Sequence, residues 1–76
     1  MNDSRRKKLA EALAKMQDAK VIIEEVRDEE QESFDNLSEG LQQGDKGQKM
    51  EEIVSQLDEA IEACDNADSL VNEAVA

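Results

Sequence analysis

Residues 50–74 read MEEIVSQLDEAIEACDNADSLVNEA, and this stretch decides the fold. Met50, Ile53, Leu57, Ala60, Cys64, Ala67, Val71 and Ala74 recur at alternating intervals of three and four, the a and d positions of a heptad. Val54, Ile61 and Val75 widen the stripe on one flank, as on a helix packed against a broad face rather than in a narrow zipper seam. The spacing predicts a helix over about 46–72.

The same rhythm appears upstream. Leu9, Met16 and Ile23 occupy a positions, and Ala12, Ala19 and Val26 occupy d positions, with Leu13 beside them. The stripe then fails, because Glu30 and Ser33 take the next two sites and only Phe34 and Leu37 resume apolar character. A first helix over about 4–34 follows, with Ser4 as its expected N-cap. Between the two lies a joint over about 35–45. All three glycines fall in or beside it, where they could supply positive φ or tight turns. Asn36 is a suitable terminator and Ser38 a candidate cap for one short turn. Asp45 with Gln48 reads as a capping box. Phe34, Leu37 and Leu41 are spaced to fold over the end of the pair; the alternative for Phe34 is an exposed anchor for a partner.

Composition agrees with helices. The chain lacks proline, tryptophan, tyrosine and histidine, and Phe34 is its one aromatic. The expected fold class is all-α: a two-helix antiparallel hairpin in one domain, 1–76, dimerising into a four-helix bundle. Dimerisation is expected because five of the a/d sites are alanine and one is cysteine. Small side chains bury little area, and at about 25 cal/mol per Å² such a core barely offsets chain entropy.

Several chemistries find no residues to run on. Cys64 is the only cysteine, so no disulfide closes within the chain, and without histidine it has no base. The serines likewise lack triad partners. A di-metal bundle site would want inward Glu-x-x-His pairs. An EF-hand starting at Asp35 would place Leu37 and Lys46 where calcium needs oxygen ligands. The expectation is therefore no enzyme and no cofactor. No apolar run is long enough for a bilayer, and Met1 leads into a polar segment, so no membrane association and a cytoplasmic location are expected.

Charge supplies the remaining signal. The net charge is −11, which disfavours direct nucleic-acid binding and favours a protein partner with a basic surface. Residues 1–20 carry six bases and three acids; residues 21–76 carry three bases and seventeen acids. In an antiparallel hairpin the basic start would meet Asp65, Asp68 and Glu73. From Glu24 to Glu39 only Arg27 opposes eight acids. Glu25, Asp28, Glu29 and Glu32 share one side of a helix, and with Phe34, Asp35 and Glu39 they form the candidate partner-binding set. Rows of carboxylates on a rigid helix could imitate duplex phosphates, so the expected function is a binding factor that occupies a basic nucleic-acid-binding surface. The competing expectation is an assembly or scaffold protein.

The stretch Arg27-Asp28-Glu29-Glu30-Gln31-Glu32-Ser33-Phe34-Asp35-Asn36-Leu37-Ser38-Glu39-Gly40-Leu41-Gln42, followed by Gly47 and Leu57-Asp58-Glu59-Ala60-Ile61-Glu62-Ala63, resembles a group of short acidic proteins encoded in bacterial, prophage and phage genomes. That group often carries proline where Ser38 stands. The resemblance implies a helical hairpin and a mobile-element origin; it carries over no activity and no functional residues.

Overall fold

A computed structural model describes residues 1–76. The chain is all-helical, with 91% of its residues in helices and no strands. Helix α1 spans Asp3–Asp35, a five-residue α2 spans Glu39–Gln43, and α3 spans Asp45–Val75. The Cα envelope measures 58 × 15 × 13 Å. A helix of 33 residues is about 50 Å long, so the long dimension is α1 plus the joint. The radius of gyration is 17.3 Å, against roughly 11 Å for a compact domain of this length. The molecule is a rod.

Both caps of the long helices differ from expectation. Asn2, not Ser4, opens α1: its backbone is extended and its Oδ1 accepts from the Arg5 N–H at 2.8 Å. Asparagine is as good an N-cap as serine and stands two residues earlier. At α3 the capping box does not form. Gly44 occupies the cap position and Asp45 is already helical, so its side chain makes no cap hydrogen bond. Gln48 instead donates through Nε2 to the Gln43 carbonyl at 3.3 Å. Ser38 does precede α2, again without a side-chain bond.

Of the glycines of the joint, Gly47 alone acts by size, and none acts by φ. None of the three has positive φ. Gly47, in the first turn of α3, is the one fully buried residue of the chain. A Cβ there would overlap the Gln42 carbonyl oxygen and lie 2.5 Å from its carbon. The N–H of Gln42 donates to Ser38 within α2, and its Nε2 donates to the Phe34 carbonyl at the end of α1. Gln42 therefore ties the short helix to α1 while α3 presses against its backbone.

α1 and α3 lie in contact along their lengths. Two ion pairs cross between them, Lys20 with Asp65 and Arg27 with Asp58, both at 2.6 Å. In these two pairs the earlier α1 residue meets the later α3 residue. On α3 the apolar stripe is half-buried from Met50 and Ile53 through Cys64 to Val71, with Val54, Ile61 and Val75; Ala74 alone of the stripe is exposed, and Asp68 is half-buried beside it. No hydrophobic side chain is fully buried anywhere.

On α1 the seam is rotated. Leu9, Ala12, Met16 and Ile23 are half-buried as expected, but Ala19 and Val26 are exposed, and Leu13, Lys20, Arg27 and Phe34 are half-buried beside them. The difference is about 50° around the helix axis. The long methylene stems of Lys20 and Arg27 cover apolar surface that alanine could not reach, while their charged heads extend to carboxylates on α3.

Candidate protein-binding surface

The rod carries no pocket. What it presents is relief and charge, and both follow from helix geometry. Residues three and four apart on a helix are neighbours, about 5–6 Å between Cβ atoms. Glu25, Asp28, Glu29 and Glu32 therefore form a continuous row within α1, and all four are exposed. They lie opposite the Ile23–Arg27–Glu30 seam. Asp28 pairs with its neighbour Arg27 at 2.8 Å; the other three take part in no ion pair.

Asp35 and Glu39 are exposed beyond the end of this row, and Asp35 accepts from Gln31 Nε2 at 2.9 Å. Phe34 differs from the rest of the set. It is half-buried, as is Leu37, whereas Leu41 is 53% exposed and does not close over the joint. The rotated seam brings Phe34 inward in line with Arg27 and Glu30. Glu30 itself is half-buried, and neither Lys46 nor Lys49 pairs with it; Lys49 reaches Glu52 instead.

The cations divide into two groups. Arg5, Lys7 and Lys8 form no ion pair, and Arg6 reaches only Asp3 of its own helix, at 3.8 Å. Of the three acids expected to meet the basic residues of 1–20, Asp65 does so through Lys20, whereas Asp68 and Glu73 form no ion pair and Asp68 accepts from Asn72. The cross-helix work falls to Lys20 and Arg27. The hydrogen bond to Asp65 raises the pKa of Lys20 above its ordinary 10.5, against a smaller opposing effect of burial, with further attraction from Asp65, Glu24 and Asp68. Arg27 is likewise raised, chiefly by its hydrogen bonds to Asp58 and Asp28. The heptad reading passed over both residues because charge at a flanking position looks like solvated surface. The signal that could have found them is their spacing, since Lys20 and Arg27 stand seven apart, as do Asp58 and Asp65.

Charge is graded along the rod. Residues 28–52, around the joint, hold nine acids and two bases, net −7. Residues 1–14 with 69–76, at the other end, hold four bases and three acids, net +1. Of the twenty carboxylates, six take part in ion pairs and fourteen do not. No helix is long and apolar enough to cross a membrane. Comparison with protein-family models, with curated proteins and with solved structures finds no match to the chain.

Proposed function

We propose that this chain is a non-catalytic, acidic binding factor that lays the joint-side half of its rod into a basic groove of a partner protein, one that otherwise receives nucleic acid. The observation that carries this reading is the row Glu25, Asp28, Glu29 and Glu32, exposed on one side of a long helix. The row spans seven residue steps, about 10 Å of axis. Four carboxylates over that length stand about 3.5 Å apart along the axis, close to the roughly 3.4 Å between phosphates of one strand of a DNA duplex. With like charges alternating at three and four residues, the row is unfavourable to its own helix, and a partner of opposite charge would relieve it. Asp35 and Glu39 extend the same potential around the joint. The resemblance to short acidic phage and prophage proteins makes an inhibitor of a host nucleic-acid-handling protein the specific form of the proposal.

Supporting elements are the antiparallel hairpin and its dimer. The reversed order of the two cross-helix ion pairs supports the hairpin, and the lack of any fully buried hydrophobic side chain supports its completion by a second copy. A second functional reading, an assembly or scaffold protein, draws on the exposed Ile22 and Leu70.

The test is capture from nuclease-treated lysate with tagged chain, at low and at high salt. A basic nucleic-acid-binding protein that is released by salt, and displaced by duplex DNA, is the expected outcome. Recovery of particle or scaffold proteins that resist salt would replace inhibition with assembly.

A further inference from the structure

With α1 and α3 taken as antiparallel neighbours, as proposed above, the two sides of the rod are unlike. Lys20 and Arg27 reach Asp65 and Asp58 across one side. On α1 the opposite flank of the seam carries Ala12, Ala19 and Val26, at intervals of seven. On α3 the flank away from Asp58 and Asp65 carries Ile53, Ala60 and Ala67, also at intervals of seven. Since the cation flank of one helix meets the acid flank of the other, the two remaining flanks share the other side. That side is apolar and only partly covered: Ala12, Ile53, Ala60 and Ala67 are half-buried, while Ala19 is exposed. Val26 is 46% exposed there, and Ile22, a further step round α1, is 59% exposed.

We infer that a second copy of the chain docks on this side, with the two rods running in opposite directions. The area admits a second copy. A compact monomer of 8.5 kDa exposes about 4,700 Å², whereas this chain exposes 5544 Å². The excess reflects the rod shape, and it leaves room for the roughly 800 Å² that each partner contributes to an interface of standard size. The sequence pattern supports the same side, because Ala12, Ala19 and Val26 are the d positions of a heptad whose a positions already face α3. Four helices give both sets a neighbour.

Charge selects the direction. Rods laid in the same direction would bring two joint ends of net −7 together. Reversed, each −7 end lies beside a +1 end, where Arg5, Lys7 and Lys8 have no partner in their own chain. Glu25, Asp28 and Glu32 of the outward row remain free on both copies, whereas Glu29, seven residues after Ile22, stands at the edge of the docked side.

Sedimentation equilibrium of the full chain, from micromolar to submillimolar concentration, is the first measurement. The expected result is a species of twice 8.5 kDa. Ile22→Glu combined with Val26→Glu should weaken association at least ~10-fold with far-ultraviolet helicity kept. Val21→Glu, exposed on the far side of α1, should leave association intact. Ala19→Glu, a change between two strong helix formers, serves as the second variant should the double change cost helicity. For direction, a spin label at Ser4→Cys in a Cys64→Ala background should report a separation near the 58 Å length of the rod.

A monomer at every concentration overturns the inference, as does a dimer indifferent to Ala19→Glu and to the double variant. A short Ser4–Ser4 distance overturns the direction. Labels at Ser4→Cys and Glu73→Cys of one chain, diluted into unlabelled protein, read the hairpin separately. Close labels keep it, and distant labels remove the basis on which the docking side was assigned. Failure of salt-sensitive capture touches none of these readouts.

Discussion

Gly47→Ala sets two opposed magnitudes against each other, and the sign of the outcome decides between them. Helix propensity alone favours the change, because alanine in a helix is better than glycine by about 1 kcal/mol. The φ of Gly47 is not positive, so the backbone raises no objection. Against this stands the Gln42 backbone. The new Cβ would overlap its carbonyl oxygen and sit 2.5 Å from its carbon and 2.6 Å from its Cα, where ordinary contact begins at 3.4 Å. No flexible side-chain tip can yield there, so α2 or the first turn of α3 must move by about 1 Å. Overpacking of this kind costs roughly 1–3 kcal/mol. The same movement strains the Gln42 Nε2 bond to the Phe34 carbonyl, worth about 1 kcal/mol. Net of propensity, the expected loss is about 1–3 kcal/mol, or a fall in melting temperature of roughly 6–19 °C for a domain of this size. Thermal melting followed by circular dichroism measures it. Gly40→Ala is the matched control: nothing lies within 4 Å of its Cβ, so it should melt at or above the parent. A Gly47→Ala protein that melts as high as the parent would refute the close approach.

Other outcomes follow from the same structure. Neutralising the outer row with Glu25→Gln, Asp28→Asn, Glu29→Gln and Glu32→Gln removes like-charge pairs at i,i+4, each unfavourable by about 0.2–0.5 kcal/mol. The variant should therefore melt slightly higher while losing salt-sensitive binding, and a loss of helicity would contradict the solvent-facing placement. Phe34→Ala, at a half-buried site, should lower stability by about 1–2 kcal/mol, seen in urea unfolding; an unchanged midpoint with lost binding would make Phe34 an anchor instead. Asn2→Ala should cost about 1 kcal/mol through the lost cap, whereas Ser4→Ala should cost much less. Lys20 has a folded pKa above its unfolded value of 10.5, so the unfolded chain releases that proton first as pH rises. Stability from the Lys20–Asp65 pair is fully present below 10.5 and is lost as pH climbs through the folded value. Urea midpoints measured from neutral to strongly alkaline pH should fall less steeply in Lys20→Met, and equal slopes would argue against the pair.

Much of the fold is legible in the chain, for reasons that differ by element. In α3 the apolar residues from Met50 to Val71 are numerous enough that one face dominates, and the half-buried residues match that face. In α1 the apolar set thins after Ile23, and the helix turns until Lys20 and Arg27 lie over the seam. Heptad spacing cannot anticipate this, because it treats a charged side chain as outward and gives no credit to its methylenes. Asn2 was obscured by the equally good cap at Ser4. The role of Gly47 depends on where a separate helix lays its backbone, which no local pattern encodes. Within the candidate surface, the carboxylate row was readable from i,i+3,i+4 spacing alone. The half-buried place of Phe34 is also legible, from its spacing to Leu37, but its alignment with Lys20 and Arg27 is not, since that follows from the rotated seam.

A rod in which no apolar side chain is wholly enclosed has a calorimetric consequence. The heat-capacity increment of unfolding grows with the apolar surface newly exposed, typically about 12–15 cal/mol/K per residue. A chain whose hydrophobic residues already touch water should fall well below that figure. Its stability curve would then be shallow and broad, changing little between cold and moderately warm conditions. Opening would start at the ends, where few side chains meet, and run inward past each ion pair in turn, so melting would spread over many degrees instead of collapsing at one. Calorimetry would see a low, wide endotherm, sharpening wherever association adds enclosed surface.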